Sequence, residues 1–188
     1  MSIYQNKDAK IRLYDGTATP FYLELCLDNG DFTGPMGDPV LEERLILDRG
    51  LVGACTHYVT GNDSPVMEPV DISFSIMVND GDKFEYFMDW LEGTDVNSNT
   101  IVTTKGTNPR LGSGLSFADT TKRCCNIEYK ALVSTVNFKM TYNEVYFDMA
   151  SLSLAESEEA VTISITGRCY GTIERSADDF TAGTDVTA

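Results

Sequence analysis

Histidine is almost absent from this chain: there is one, His57, in 188 residues. Any Ser-His-Asp or Cys-His site would have to use it. Cations are also scarce. Lys+Arg number 14 against 29 Asp+Glu, a formal net charge of −15. A sequence-independent grip on DNA or RNA rests on Lys and Arg contacts to phosphate, so this balance disfavours it. Docking on an anionic membrane is disfavoured for the same reason. No window approaches the roughly 18 apolar residues of a membrane-spanning helix. The opening run from Met1 to Asp8 lacks the apolar stretch of a signal peptide. Neither a span nor a leader is therefore expected.

Catalytic signatures are missing too. No G-x-S-x-G elbow occurs, and Gly112-Ser113-Gly114 lacks the Gly-Lys-Ser/Thr ending of a phosphate loop. The five cysteines, Cys26, Cys55, Cys124, Cys125 and Cys169, are odd in number and fit no zinc spacing. Reduced thiols of a cytosolic chain are the expectation. Cys124 and Cys125 should face opposite sides of a strand, one buried and one not. Cys55 and His57 would share one strand face, but strand neighbours do so by chance. Asp28-Asn29-Gly30-Asp31 and Asn79-Asp80-Gly81-Asp82 lack calcium-loop spacing. They read as turns, where Asx side chains bond local backbone. The acidic pairs Glu42-Glu43, Glu158-Glu159 and Asp178-Asp179 read as solvated surface. No catalytic residue, metal or cofactor is expected.

What is present is a period of two. Phe21, Leu23, Leu25 and Leu27 alternate with polar residues, as do Val70, Ile72, Phe74, Ile76 and Val78. Val136, Phe138 and Met140 repeat the pattern, then Val145, Phe147 and Met149, then Val161, Ile163 and Ile165. Each set predicts a half-buried strand made of residues that strands favour. Shorter strands are predicted at residues 11–14 and 126–133, and a weak one at 99–104. One helical period stands among them. Phe84, Phe87, Met88 and Leu91 predict a helix over residues 82–92, ended by Gly93. Trp90 is expected off that stripe, half-exposed or capping a sheet edge. The fold class is therefore mainly β: an antiparallel sandwich or barrel with one flanking helix and a long early loop or hairpin. Residues 1–175 form a single domain, and the small, polar residues 176–188 are expected to be a loose tail.

Residues 28–50 make the long early excursion, rich in turn residues and charge. Compact domains seldom carry connections this long unless they have a task. Many strands also carry hydroxyls on the polar face: Ser73, Ser75, Ser151, Ser153, Thr162, Ser164 and Thr166. A sheet with one apolar and one small polar face suits a wet lumen or a subunit seam.

This order of elements resembles the tail tube proteins of tailed bacteriophages. The resemblance spans roughly residues 10–175 and rests on the early strand, the 28–50 excursion, the strand-then-helix at residues 66–91 and the later alternating strands. It implies a structural virion protein, not an enzyme, forming stacked hexameric rings whose acidic channel passes DNA during ejection. It implies assembly in the host cytoplasm and location in the virion tail. The implied partners are copies of itself and other tail proteins such as tape measure, terminator and distal tail proteins. DNA would pass without binding, and no membrane is involved. Residues matching the inter-ring loop are Asp28, Asp31, Phe32, Glu42, Glu43, Arg44, Asp48 and Arg49. Rival readings are a tail terminator or head–tail joining protein of related fold, a soluble β-sandwich binding module, and an enzyme built on Cys55 and His57 or on paired carboxylates.

Overall fold

The computed structural model describes residues 9–37, 69–78, 81–93, 95–102, 124–133, 136–156 and 161–187. Along them run β1 (Lys10–Tyr14), β2 (Phe21–Thr33), β3 (Val70–Met77), α1 (Gly81–Glu92), β4 (Cys124–Val133), β5 (Val136–Glu156), β6 (Val161–Cys169), β7 (Ile173–Ser176) and β8 (Thr184–Asp185). The chain is mainly β with a single flanking helix among the described residues, as the alternation predicts.

The strands close on themselves. β1 pairs antiparallel with both β2 and β4. β4 pairs with β5, β5 with β6, β6 with β3 and β3 with β2, all antiparallel. The circuit β1-β4-β5-β6-β3-β2 therefore returns to β1. β7 adds to β5 between Lys139 and Tyr142, and β8 adds in parallel to the start of β2.

Two strands turn the corners. β2 pairs with β1 up to Cys26 and with β3 from Leu27 onward. β5 pairs with β4 and β7 in its first part and with β6 from Val145 to Glu156. Register shifts lie where the partners change: between Leu27 and Phe32 on β2, and between Asp148 and Ser153 on β5. A further shift against β4 leaves Glu144 at φ 55, its N–H bonded to Asn126 Oδ1 at 2.9 Å. Bulges of this kind bend a strand and let it serve two layers. The first layer is β7-β5-β4-β1-β2-β8. The second is β5-β6-β3-β2.

The core fills the space between the layers. Ile11, Leu13, Leu23, Leu25 and Ile127 come from the first layer; Ile72, Phe74, Ile76, Ile163 and Ile165 come from the second. Each such side chain contributes about 1.5–3 kcal/mol on leaving water. The helix adds Phe87, Trp90 and Leu91.

Several expectations are corrected. Trp90 is fully buried, not half-exposed. It lies three residues after Phe87 and so shares its helical face. Cys124 and Cys125 are both buried, so β4 is enclosed on both sides at that end. The strands expected at Val136–Met140 and from Val145 onward are one bent strand. The strand expected from Val161 runs to Cys169 as β6, and Gly171 separates it from a further strand, β7. A side chain at Gly171 would meet the Asn143 backbone. In place of a weak strand near residue 99 there is a tight turn. Val96 and Asn99 form a bridge around Asn97 and Ser98, whose φ values are 47 and 64. The tail expected to be loose carries β8 and buries Val186 completely.

Candidate functional site

The predicted excursion divides at the limit of the described residues. Residues 28–33 belong to β2 rather than to a loop. Asp31 is exposed. Phe32 points into the barrel, where its ring stacks on Tyr129 at 4.6 Å and tilts against Tyr142 at 5.6 Å. Tyr142 O–H donates to Pro35 O at 3.0 Å, which holds the chain as it leaves β2. Phe32 therefore plugs one end of the core. Glu42, Glu43, Arg44, Asp48 and Arg49 lie outside the described residues, as do Cys55 and His57. No group of three or more His, Cys, Asp or Glu side chains that could hold a metal occurs among the described residues. No described helix is long and apolar enough to cross a membrane.

Two surfaces stand out, one on each layer. On the second layer, the side away from the core is lined with hydroxyls. β3 presents Ser73 and Ser75, β6 presents Thr162, Ser164 and Thr166, and Ser75 Oγ lies 2.7 Å from Ser164 Oγ. At one end Arg168 meets Asp71 at 3.1 Å, with both side chains mostly exposed. The β5 bulge is stitched to this face: Ser151 Oγ accepts from Thr166 N–H at 2.9 Å and donates to Asp148 O at 2.6 Å. The far part of β5 leaves Met149 and Leu154 exposed, Leu154 at 64%.

Both edges of this layer are open among the described residues. β5 from Phe147 to Glu156 pairs with β6 on one side, and β4 stops at Tyr146 on the other. β2 from Leu27 to Thr33 pairs with β3, and β1 stops at Cys26. Unpaired strand edges are templates for another strand.

The outer side of the first layer is charged and covered. Lys10, Arg12, Glu24, Glu128, Lys130 and Lys139 share it by register. Glu24 takes Lys10 at 2.7 Å and Arg12 at 2.7 Å. Burial alone would raise the Glu24 pKa, but these two partners outweigh it and hold the carboxyl below its ordinary value. Glu128 lies beneath residues 177–183, a strap that joins β7 to β8. Its carboxylate receives Thr181 N–H at 2.9 Å, Thr181 Oγ1–H at 2.6 Å and Lys139 Nζ at 3.1 Å. Burial again works upward, and the Thr181 and Lys139 bonds again win, leaving the Glu128 pKa lowered.

The strap is held at several further points. Arg12 is sandwiched between the Tyr22 ring at 4.1 Å and the Phe180 ring at 4.3 Å. Lys130 pairs with Asp179 and sits 4.7 Å from the Phe180 ring. Tyr14 O–H donates to Thr181 O at 2.9 Å, and burial pushes its pKa up. Gly183 passes so close to Pro20 O that no side chain fits there. Asn97 then clasps Val186 O at 2.8 Å. Sequence reasoning missed this face. The signal was Asp179-Phe180-Thr181, an aromatic between a charge and a donor in an otherwise small, polar segment.

Known proteins supply no guide to either surface: no family model, no curated protein and no solved structure matches this chain.

Proposed function

We propose that this chain is a structural subunit that assembles with copies of itself into rings, and that these rings stack as a phage-type tail tube. One observation carries the reading: among the described residues, the second layer is a four-stranded antiparallel sheet with both edges open. Its strands alternate in direction, so the β2 edge of one copy meets the β5 edge of the next in antiparallel sense. Head-to-tail pairing of that kind closes into a ring when the rotation permits, and closure removes the exposed edges. The exposed Leu154 and Met149 lie along the seam.

The hydroxyl face of β3 and β6 then lines the channel. It offers DNA phosphates small, neutral, hydrated groups, with Asp148 as its acidic point and Asp71 paired to Arg168. Like charge repels phosphate, and a wall of this kind passes DNA without holding it. Copies of charge −15 also repel one another. The seam must therefore be extensive, about 2,000 Å² or more, as in obligate assemblies. The resemblance in element order supplies the hexameric count and the tail partners, and it favours a structural over a catalytic role.

Negative-stain electron microscopy with light scattering on purified protein tests the proposal. Hollow rings or tubes are expected. A monodisperse monomer at every concentration and salt level would overturn it.

A further inference from the structure

The two edges of the second layer that are open among the described residues are matched in length. Across this layer Asp148, Thr166, Ser73 and Thr33 share one row, and Leu154, Ile163, Ile76 and Leu27 share another. Between these rows the inner strands advance by three residues each, from Ile163 to Thr166 on β6 and from Ser73 to Ile76 on β3. The outer strands advance by six each, from Leu27 to Thr33 on β2 and from Asp148 to Leu154 on β5. The inner strands pair without a shift, and each outer strand carries the same excess. Residues 28–31 of β2 stand where β3 has only Ser75, and residues 149–152 of β5 stand where β6 has only Ile165.

Extra residues in one strand of a pair are left without ladder partners on that side. Two strands with an equal excess at the same level can instead pair with each other residue for residue. We propose that the seam between copies has one register: β2 of one copy runs antiparallel to β5 of the next, with Leu27 opposite Leu154 and Thr33 opposite Asp148. The proposal rests on the self-assembly reading above and names the partner of each edge. In this register residues 29–31 lie opposite residues 150–152, so the two excess segments meet. The rows of β3 and β6 then continue from copy to copy on both sides of the bulges.

Side-chain chemistry selects the same register. Leu154 shares its row with Ile163, and Leu27 shares its row with Ile76, so both stand on the core side of the sheet. Leu27 is partly buried against the core, whereas Leu154 is exposed. The register sets that exposed leucine against the rim of the neighbour's core. Thr33 and Asp148, both exposed, meet on the hydroxyl side, in the row of Ser73 and Thr166. A slip of one residue would turn every side chain to the wrong face. A slip of two in one sense would put Asp31 opposite Asp148, and like charges directly opposite destabilise a pair. A slip of two in the other sense would put Leu27 opposite Glu156 and Leu154 opposite Asn29.

Four exposed positions make the register readable: Asp31 and Thr33 on one edge, Asp148 and Ala150 on the other. Protein carrying Asp31→Cys or Thr33→Cys is mixed with protein carrying Asp148→Cys or Ala150→Cys, assembled, and treated with the shortest bifunctional methanethiosulfonate. Each end of this reagent forms a disulfide with one thiol and releases a sulfinate. Linked peptides are then read by mass spectrometry, and a link between the introduced cysteines joins two copies. Asp31 with Ala150, and Thr33 with Asp148, should link about fivefold more than Asp31 with Asp148 or Thr33 with Ala150. Directly opposed Cβ atoms lie about 4.5–5.5 Å apart and diagonal ones about 7–8 Å. In the unsubstituted protein, amide hydrogen exchange should slow on assembly along residues 27–33 and 148–154 together. A preference for either diagonal pair would overturn the register and keep the open-edge seam. Rings with none of the four links and no slowing along either edge would overturn both register and seam, and leave self-assembly standing. Absence of rings or tubes from the unsubstituted protein would overturn the assembly reading and the register with it.

Discussion

The two layers of the barrel are finished in different ways. The first layer is closed by its own chain: the strap runs from β7 to β8 and covers Glu128 and Lys139, leaving their side chains 5% and 11% exposed. Among the described residues the second layer is left open at β2 and β5, with a hydroxyl face and Leu154 exposed. A sheet that the chain seals itself gains stability as a monomer. A sheet with two compatible open edges gains it only by meeting another copy. Substitutions in the first layer should therefore change folding, and those at the second layer's edges should change association.

Leu154→Lys tests that division most severely. Leu154 is exposed, so the monomer should keep its stability to within about 0.5 kcal/mol. A charge on an edge strand blocks pairing, and the concentration needed for assembly should rise about a hundredfold, near 2.8 kcal/mol. Light scattering and urea unfolding read the two effects separately. An unfolded variant, or one that assembles as before, would break the comparison.

Glu128→Gln should act the other way. Removing one partner of a buried ion pair costs about 3–5 kcal/mol. The thin strap over this pair puts the expected loss near 3 kcal/mol, measured by urea unfolding. Replacing both partners, Glu128→Leu with Lys139→Met, should recover much of that loss, because no uncompensated charge remains.

Acid should loosen the strapped layer next. Glu24 and Glu128 both have folded pKa values below the ordinary 4.5. A depressed carboxylate contributes stability that is present above its unfolded pKa and lost as pH falls through its folded pKa. The urea midpoint should hold from neutral pH down to about 4.5 and then fall. The fall should be shallower in Glu128→Gln, which has one fewer group to protonate.

Ser75→Ala should have the smallest effect. It removes one hydroxyl bond, to Ser164, on a face where water can replace it. A loss of about 0.5–1 kcal/mol or less is expected in urea unfolding, with assembly unchanged. A larger defect in assembly would show that hydroxyl pairing, and not the strand edges, organises the seam.

Much of the fold was legible in advance. The alternation at Phe21–Leu27, Val70–Val78 and Val161–Ile165 placed strands where they occur, because one buried face imposes a period of two. The helix followed from its own period. Trp90 was within reach of the same rule, since its spacing from Phe87 already places it on the buried face. The strap was not. Nothing in Ser176, Ala177 or Asp178 marks an ordered segment, and Phe180 gains its place only from Arg12 and Lys130, distant in sequence. Of the expected loop residues, Phe32 proved to be partly buried and packed against the core. Its ring partners, Tyr129 and Tyr142, come from strands about a hundred residues away.

The sequence by itself determined the inward face of the main alternating strands and most of the helix's buried stripe. It also determined the acidic balance that sets this chain against phosphate. The tertiary structure decided which strands are neighbours, which edges stay open and which charged face the C-terminus covers. The physical reason is that a pleated strand carries the same backbone donors and acceptors whatever its partner. Alternation fixes a face but not a neighbour. The neighbour is chosen by contacts such as Ile11 opposite Tyr129 and Thr181 against Glu128, which exist only once the chain has closed on itself.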